Sequence, residues 1–290
     1  MLKKKHETIE LFDSEGNSRG FYSEGNRLND LTGREWTFSS RSVIAKAYPS
    51  SFQHKLRNQH GGQKPPELCA ELIRTFTKAG DRVLDPMMGV GGTLLGATIS
   101  ERSAVGIEIE PRWVEVYQKV CELEGLTPQQ TCQGDCLKVL PEIEGEFDFI
   151  LTDVPYWNMD TAKRSTGQYK RYGQEVEPDK LRKKLSRFNN QPVQSKDEWL
   201  AQMREIFAVC QTKLKLNGYM AVFVGEMYQN GVYHLLPAEL ASVITQDGWT
   251  PKANLIWYDV SKQLHVYGYR YTFIPSVIHQ SILVFRKETP

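Results

Sequence analysis

From Arg82 onward two patterns alternate along the chain. Short runs of consecutive apolar and β-branched residues read as strands buried on both faces. They are separated by longer stretches whose apolar residues recur every three or four positions, as on one face of a helix. The strand-like runs are Arg82 to Asp85, Ala104 to Ile109, a weak run at Thr131 to Gly134, and a strong one at Phe147 to Val154. Between them, Gly91 to Ser100 and Pro111 to Glu124 carry helical spacing, the second opened by a proline in its first turn. Upstream, Pro65-Pro66-Glu67 opens another helix, in which Leu68, Leu72, Ile73 and Phe76 share a face and which Gly80 ends. After residue 195 the rhythm resumes with a helix from Asp197 to Lys215, a strand from Gly218 to Val224, a helix from Leu236 to Gln246, and strands at Ala253 to Tyr258 and Ser281 to Phe285. This alternation predicts an α/β fold with a doubly wound, mostly parallel sheet whose last two strands form an antiparallel edge hairpin. Residues 1–60 are polar and broken by Gly16, Gly20, Gly25 and Gly33, and read as an N-terminal extension to a domain over 61–290. Residues 158–195 lack apolar periodicity and read as an insert in that domain.

Charge changes the picture only through its distribution. The chain carries 36 Lys and Arg against 35 Asp and Glu, a formal net charge of +1, so bulk charge does not mark a binder of polyanions. From Asn158 to Lys196, however, ten basic residues face four acidic ones. A charge run is usually a solvated loop. The place of this one, directly after the second motif below, favours a phosphate-binding insert with Lys163, Arg164, Lys170, Arg171, Arg182, Lys183 and Lys184 as contacts. No apolar run approaches the roughly 20 residues a membrane helix needs. The basic start, Met1 to His6, has no apolar stretch behind it, so no secretory signal and no membrane partner are expected. Five cysteines at irregular spacing, with no pair to match Cys132 and Cys136, predict no metal site and reduced thiols in the cytoplasm.

Two motifs carry candidate chemistry. In Val83-Leu84-Asp85-Pro86-Met87-Met88-Gly89-Val90-Gly91-Gly92-Thr93 a strand ends in an acid, turns through a glycine-rich loop and enters a helix. Ligands of open α/β sheets sit at such strand ends, and glycines let the backbone approach them. Glu108, followed by Ile109, ends the next strand about 20 residues on, where an acid takes ribose hydroxyls. Asp135, followed by Cys136, ends the third and can accept from an adenine amino group. Each acid alone is compatible with an ordinary helix cap. Three in succession behind a glycine loop favour an adenosine-bearing ligand. The second motif, Thr152-Asp153-Val154-Pro155-Tyr156-Trp157, ends the fourth strand. There the Asp153 carboxylate and the Val154 carbonyl can accept two amino hydrogens of a flat base, while Tyr156 stacks on its ring. A base reached in this way has left its duplex.

These motifs resemble those of the amino-methyltransferases of the DNA methylase superfamily, which modify adenine N6 or cytosine N4. Asp85-Pro86-x-x-Gly89-x-Gly91-Gly92-Thr93 is similar to their cofactor motif, and Asp153-Val154-Pro155-Tyr156 to their catalytic Asp-Pro-Pro-Tyr. Leu28-Asn29-Asp30-Leu31-Thr32-Gly33-Arg34-Glu35-Trp36 resembles a familiar opening of such methylases. His60 with Pro65-Pro66 resembles the segment at the methionine end of the cofactor, and His279 to Lys287 the closing strand. The resemblance covers roughly residues 28–287. It implies a Rossmann-like methyltransferase sheet and S-adenosyl-L-methionine as cofactor, held by His60, Pro65, the glycine motif with Met87, Glu108, Ile109, Asp135, Cys136 and Asp153. It implies direct methyl transfer to an exocyclic amine, with Asp153, Val154, Pro155 and Tyr156 catalytic and Tyr156 and Trp157 touching the target base. It implies DNA as partner, admits RNA, and leaves open a cognate restriction nuclease.

Val154 stands where the family usually has proline, which keeps the carbonyl acceptor and removes the rigid ring, and Met87 replaces an aromatic residue. An Asp at the head of the catalytic motif leans toward adenine N6, whereas Trp157 is familiar beside the cytosine-N4 version. RNA guanine-N2 methyltransferases share a similar motif pair. Glutamine methyltransferases place Asn where Asp153 stands. A nucleic-acid-binding module without catalysis would have no use for the full acid series.

Overall fold

The computed structural model describes residues 7–157, 195–229, 231–264 and 270–289. The seven basic residues assigned to phosphate contacts, Lys163 to Lys184, lie outside the described residues. Strands β1 (Thr8–Phe12) and β2 (Ser18–Ser23) form an antiparallel hairpin, followed by α1 (Gly33–Ser39), β3 (Val43–Ala45) and α2 (His54–Arg57). The methylase-like opening does its work here. Thr32 and Glu35 make the capping box of α1, and Glu35 also takes Arg19. Asn29 Nδ2 donates to the Thr75 carbonyl at 2.6 Å, and Asp30 accepts from the Ala79 amide and from Arg102. This segment clasps the far end of the domain, away from the strand ends that carry the motifs.

Next come α3 (Pro66–Phe76), β4 (Arg82–Asp85), α4 (Gly92–Ile99), β5 (Ser103–Glu108), α5 (Pro111–Glu124), β6 (Gln130–Gln133), α6 (Cys136–Val139) and β7 (Phe147–Asp153). After the insert follow α7 (Lys196–Lys213), β8 (Leu214–Val224), the short hairpin β9 (Met227–Gln229) and β10 (Val232–His234), α8 (Leu236–Ile244), β11 (Trp249–Tyr258) and β12 (His279–Lys287). Eight strands form one sheet in the order β3-β11-β12-β8-β7-β4-β5-β6, in which β12 alone runs against its neighbours. The antiparallel pair β11–β12 expected from the sequence is present, and β3, from within the first 60 residues, adds parallel to its outer side.

Successive residues of the central strands feed opposite cores, because side chains alternate across a sheet. Val83 and Leu151 pack among α3, α4 and α5, with Leu68, Ile73 and Leu94. Leu84 and Ile150 pack among α7 and α8, with Phe207 and Leu240. Burial on both faces is why the strand runs lack polar alternation. The chain runs outward from β4 through β5 to β6, then returns to the other side of β4 with β7, where Leu84 pairs with Ile150. That reversal is the topological switch point, and it sets the ends of β4 and β7 side by side.

Candidate active site

Asp85 ends β4 and Asp153 ends β7. A cleft of about 370 Å³ at these ends is lined by both acids, by His60, Met87, Gly89, Gly92 and Thr93, and by Gly62, Gln63, Lys64 and Phe223. Seven of the residues singled out in the sequence therefore converge on one opening.

Asp85 is 3% exposed, and burial pushes its carboxyl up to about 6 against the pull of the hydroxyl groups of Thr93 and Thr152 and the Met87 amide. Thr152 Oγ1 donates to Asp85 Oδ1 at 2.7 Å, and Met87 N donates to the same oxygen at 3.1 Å. The acid thus draws the loop back over its strand. Glu108 fastens the same loop from β5, accepting from Gly89 N and from Glu110 N at 2.9 Å each. Gly91 has φ +75°, and a Cβ there would stand 2.2 Å from the Tyr117 ring. At Gly89, with φ +51°, a Cβ would stand 3.1 Å from the His60 imidazole, so the loop is closed to side chains on the cleft side. His60 meets Trp113 edge-on at 4.9 Å, and burial followed by the charges of Lys64 and Arg57 lowers it to about 4, so it is a neutral imidazole at pH 7.

The acids further out stand at the predicted strand ends. Asp135 caps α6 by accepting from Leu137 N at 3.1 Å, and Cys136 beside it turns its side chain into the core, its thiol pushed up to about 11 by burial. Ile109 is half exposed. Pro65 caps α3, and Pro86 and Gly91 lie within the loop without lining the cleft.

The turn after β7 is held from three sides. Val154 N donates to Phe223 O at 3.3 Å, and the Val154 side chain is buried. Pro155 O accepts from Trp199 Nε1 of α7 at 2.8 Å. Tyr156 hydroxyl accepts from Gln280 Nε2 at 2.5 Å, and burial and the Asp153 charge raise that phenol far above its usual range. Trp157 meets His234 edge-on at 5.0 Å. Burial raises the Asp153 carboxyl, and Lys64 is the strongest opposing influence. Lys64 Nζ forms an ion pair with Asp153 Oδ2, whereas Oδ1 is buried and makes no hydrogen bond. Lys64, together with Trp199, Phe223 and Gln280, went unpredicted. A lone lysine before two prolines reads as solvated, and the pair it makes bridges 89 positions.

The site fits an S-adenosyl cofactor. It offers a loop whose glycines leave no room for side chains at Gly89 and Gly91, and a buried carboxylate beneath it. Among the described residues no cluster of three metal-ligating side chains occurs, and no helix is long and apolar enough to cross a membrane.

Comparison with known proteins agrees with the geometry. The chain is 32% identical over 117 residues to a tRNA (guanine(10)-N2)-dimethyltransferase of Methanothermobacter thermautotrophicus, covering 40% of this chain and 34% of that protein. It is 34% identical over 95 residues to the type II methyltransferase M.BglI of Bacillus subtilis, covering 32% and 26%. It is 36% identical over 105 residues to the type II methyltransferase M2.DpnII of Streptococcus pneumoniae, covering 36% and 34%. The matched stretches thus span a quarter to a third of these relatives' lengths. Among solved structures, NSun6 of Pyrococcus horikoshii superposes with a TM-score of 0.51 at 13% identity, covering 98% of this chain and 68% of that one, a likeness of fold alone. The DNA methylase family matches residues 2–119 and 147–290, on both sides of the glycine loop and through the Asp153 turn, and the chain belongs to that family of S-adenosylmethionine-dependent N6/N4 methyltransferases.

Proposed function

We propose that this chain methylates the exocyclic amino group of a base in DNA, with adenine N6 as the preferred acceptor. The observation that carries the reading is Asp153. It is a partly buried carboxylate at the end of β7 whose buried Oδ1 lacks a hydrogen bond, in the same cleft as the glycine-rich loop after β4. An amine on a heteroaromatic ring is a weak nucleophile because its lone pair is delocalised. Asp153 Oδ1 and the Val154 carbonyl accept its two hydrogens and favour a pyramidal nitrogen whose lone pair points at the cofactor. The loop after β4, with Asp85 and Glu108, would hold S-adenosylmethionine, which would supply an electrophilic sulfonium methyl; the methylated amine would then release one proton to water. The protein's share is positioning and fixed electrostatics. Tyr156 and Trp157 offer stacking to a base lifted from its helix, worth roughly 1–3 kcal/mol per base. Among the described residues no cysteine lines the cleft, in keeping with direct transfer. The basic run between Asn158 and Lys196 supplies phosphate contacts, so affinity for DNA falls steeply with salt.

A second acceptor, the N2 amine of guanine in tRNA, draws support from the 32% identical archaeal relative. One experiment separates the readings. The protein is incubated with labelled cofactor and either DNA or tRNA, the nucleic acid is digested to nucleosides, and the product is identified by mass spectrometry. N6-methyladenine from DNA is expected. N2-methylguanine from tRNA, or a methyl group on a ring carbon, overturns the proposal.

A further inference from the structure

We propose that Lys64 is a positioning residue for methyl transfer: its ammonium occupies Oδ2 of Asp153 and so dedicates Oδ1 to the incoming amine. The inference rests on the amino-group reading of the site and adds to it a residue that neither motif contains.

Four observations carry it. Lys64 is only 7% exposed, and its side chain lines the cleft, where Nζ meets Asp153 Oδ2. Its backbone is fixed independently of that contact. Arg57, itself buried, donates from Nη2 to the Lys64 carbonyl at 2.6 Å, and a Cβ on Gly92 would stand 2.9 Å from the same oxygen, so the lysine is locked against the start of α4. Nζ also lies 5.3 Å from the centre of the Phe223 ring and 3.5 Å from Gly62 O, a setting that favours a cation. The two oxygens of Asp153 are treated differently: Oδ2 is taken by the lysine, and Oδ1 is buried with no hydrogen bond. A buried carboxylate with no counter-ion takes up a proton, and a protonated acid no longer offers two acceptors. The ammonium therefore keeps Asp153 an acceptor at neutral pH and stops it from rotating the wrong oxygen toward the base.

Other charges face this pair. Asp85 at the end of β4 repels Asp153, Tyr156 lies beside it from the turn after β7, and His60 and Lys262 feel the Lys64 charge from the segment before α3 and the segment after β11. Of these, Lys64 is the largest influence holding the Asp153 carboxyl down, ahead of Tyr156. Its removal therefore moves the acid limb of the rate profile to higher pH.

The test compares wild type, Lys64→Met and Lys64→Arg in single-turnover methylation of DNA at saturating cofactor and DNA, from pH 5 to 9. Lys64→Met is expected to lose about 100-fold at neutral pH, the range seen when one preorganised polar contact is removed. Its acid limb should rise, whereas Lys64→Arg should stay within about tenfold with the limb restored. In parallel, the ¹³C resonance of Asp153, assigned by its loss in Asp153→Asn, is titrated without substrate; it should protonate at higher pH in Lys64→Met than in wild type. A Lys64→Met protein with the wild-type rate and limb, a folded Lys64→Arg as impaired as Lys64→Met, or an unchanged Asp153 titration overturns the inference. A wild-type chain inactive on DNA instead sinks the functional reading, and the titration still decides whether Lys64 sets the state of Asp153.

Discussion

Asp85 and Asp153 end neighbouring strands of the same sheet, line the same cleft and are both raised by burial, yet the chain uses them differently. Around Asp85 the donors come from the protein itself: Thr152, Thr93 and the Met87 amide hold it and bend the glycine loop. Around Asp153 one long side chain takes Oδ2, the Tyr156 hydroxyl beside it also draws the carboxyl down, and Oδ1 is left without a hydrogen bond. A buried acid held by several donors of its own chain shapes the backbone; an acid with a buried oxygen left unpaired stores the capacity to hold something else. In the proposed reading, the β4 loop is the cofactor's seat and the β7 turn is where the acceptor amine is set.

The largest expected effect bears on the turn. Asp153→Ala is expected to lower single-turnover methyl transfer by about 10³-fold, on the order of 4 kcal/mol. Quench-flow with labelled cofactor checks this, and turnover near wild type would erase the distinction between the two acids. Next is the loop. Gly91→Ala places a methyl against Tyr117, whose hydroxyl accepts from Gln129 N at 2.9 Å and so resists swinging away. Urea denaturation should show a loss of about 3 kcal/mol, combining the left-handed backbone with overpacking.

Asp85→Asn sharpens the contrast by its sign. The Asp85 carboxyl lies near 6 in the folded chain against 3.8 in the unfolded, so the unfolded state releases its proton first. The stability this group contributes is full below about pH 4 and is lost as pH rises to about 6. The neutral amide escapes that loss, so Asp85→Asn should be more stable than wild type at pH 7 by on the order of 2 kcal/mol while binding the cofactor more weakly. Denaturation at pH 4 and pH 7 checks it: an advantage that does not grow with pH would contradict the burial of Asp85 as an anion. The smallest effect concerns the turn's support. Trp199→Phe removes the donor to Pro155 O and should cost about 1 kcal/mol of stability and roughly tenfold in rate.

The central strands and the helices between them were legible because burial on both faces writes continuous apolar runs, and Pro111–Glu124 was read to the residue from its proline start and glycine stop. The glycine loop and the acids at strand ends were legible because the site lies where the chain changes element. What escaped was long-range or short. Lys64 has meaning only beside Asp153, and Trp199 only beside Pro155. Strand β3 has three residues, one of them buried, too few to show a period. The hairpin of β1 and β2 leaves Ile9, Phe12 and Phe21 about half exposed, so no buried face organises its sequence.

The division between the two acids is tested most directly by measuring, in Asp85→Asn and Asp153→Ala side by side, cofactor affinity by calorimetry and the single-turnover methylation rate at saturating cofactor. The account predicts that the two parameters separate: Asp153→Ala binds S-adenosylmethionine within about threefold of wild type and fails to transfer, whereas Asp85→Asn binds weakly and regains much of its rate at saturation. Loss of affinity in Asp153→Ala as large as in Asp85→Asn, or transfer by Asp153→Ala at the wild-type rate, would contradict it.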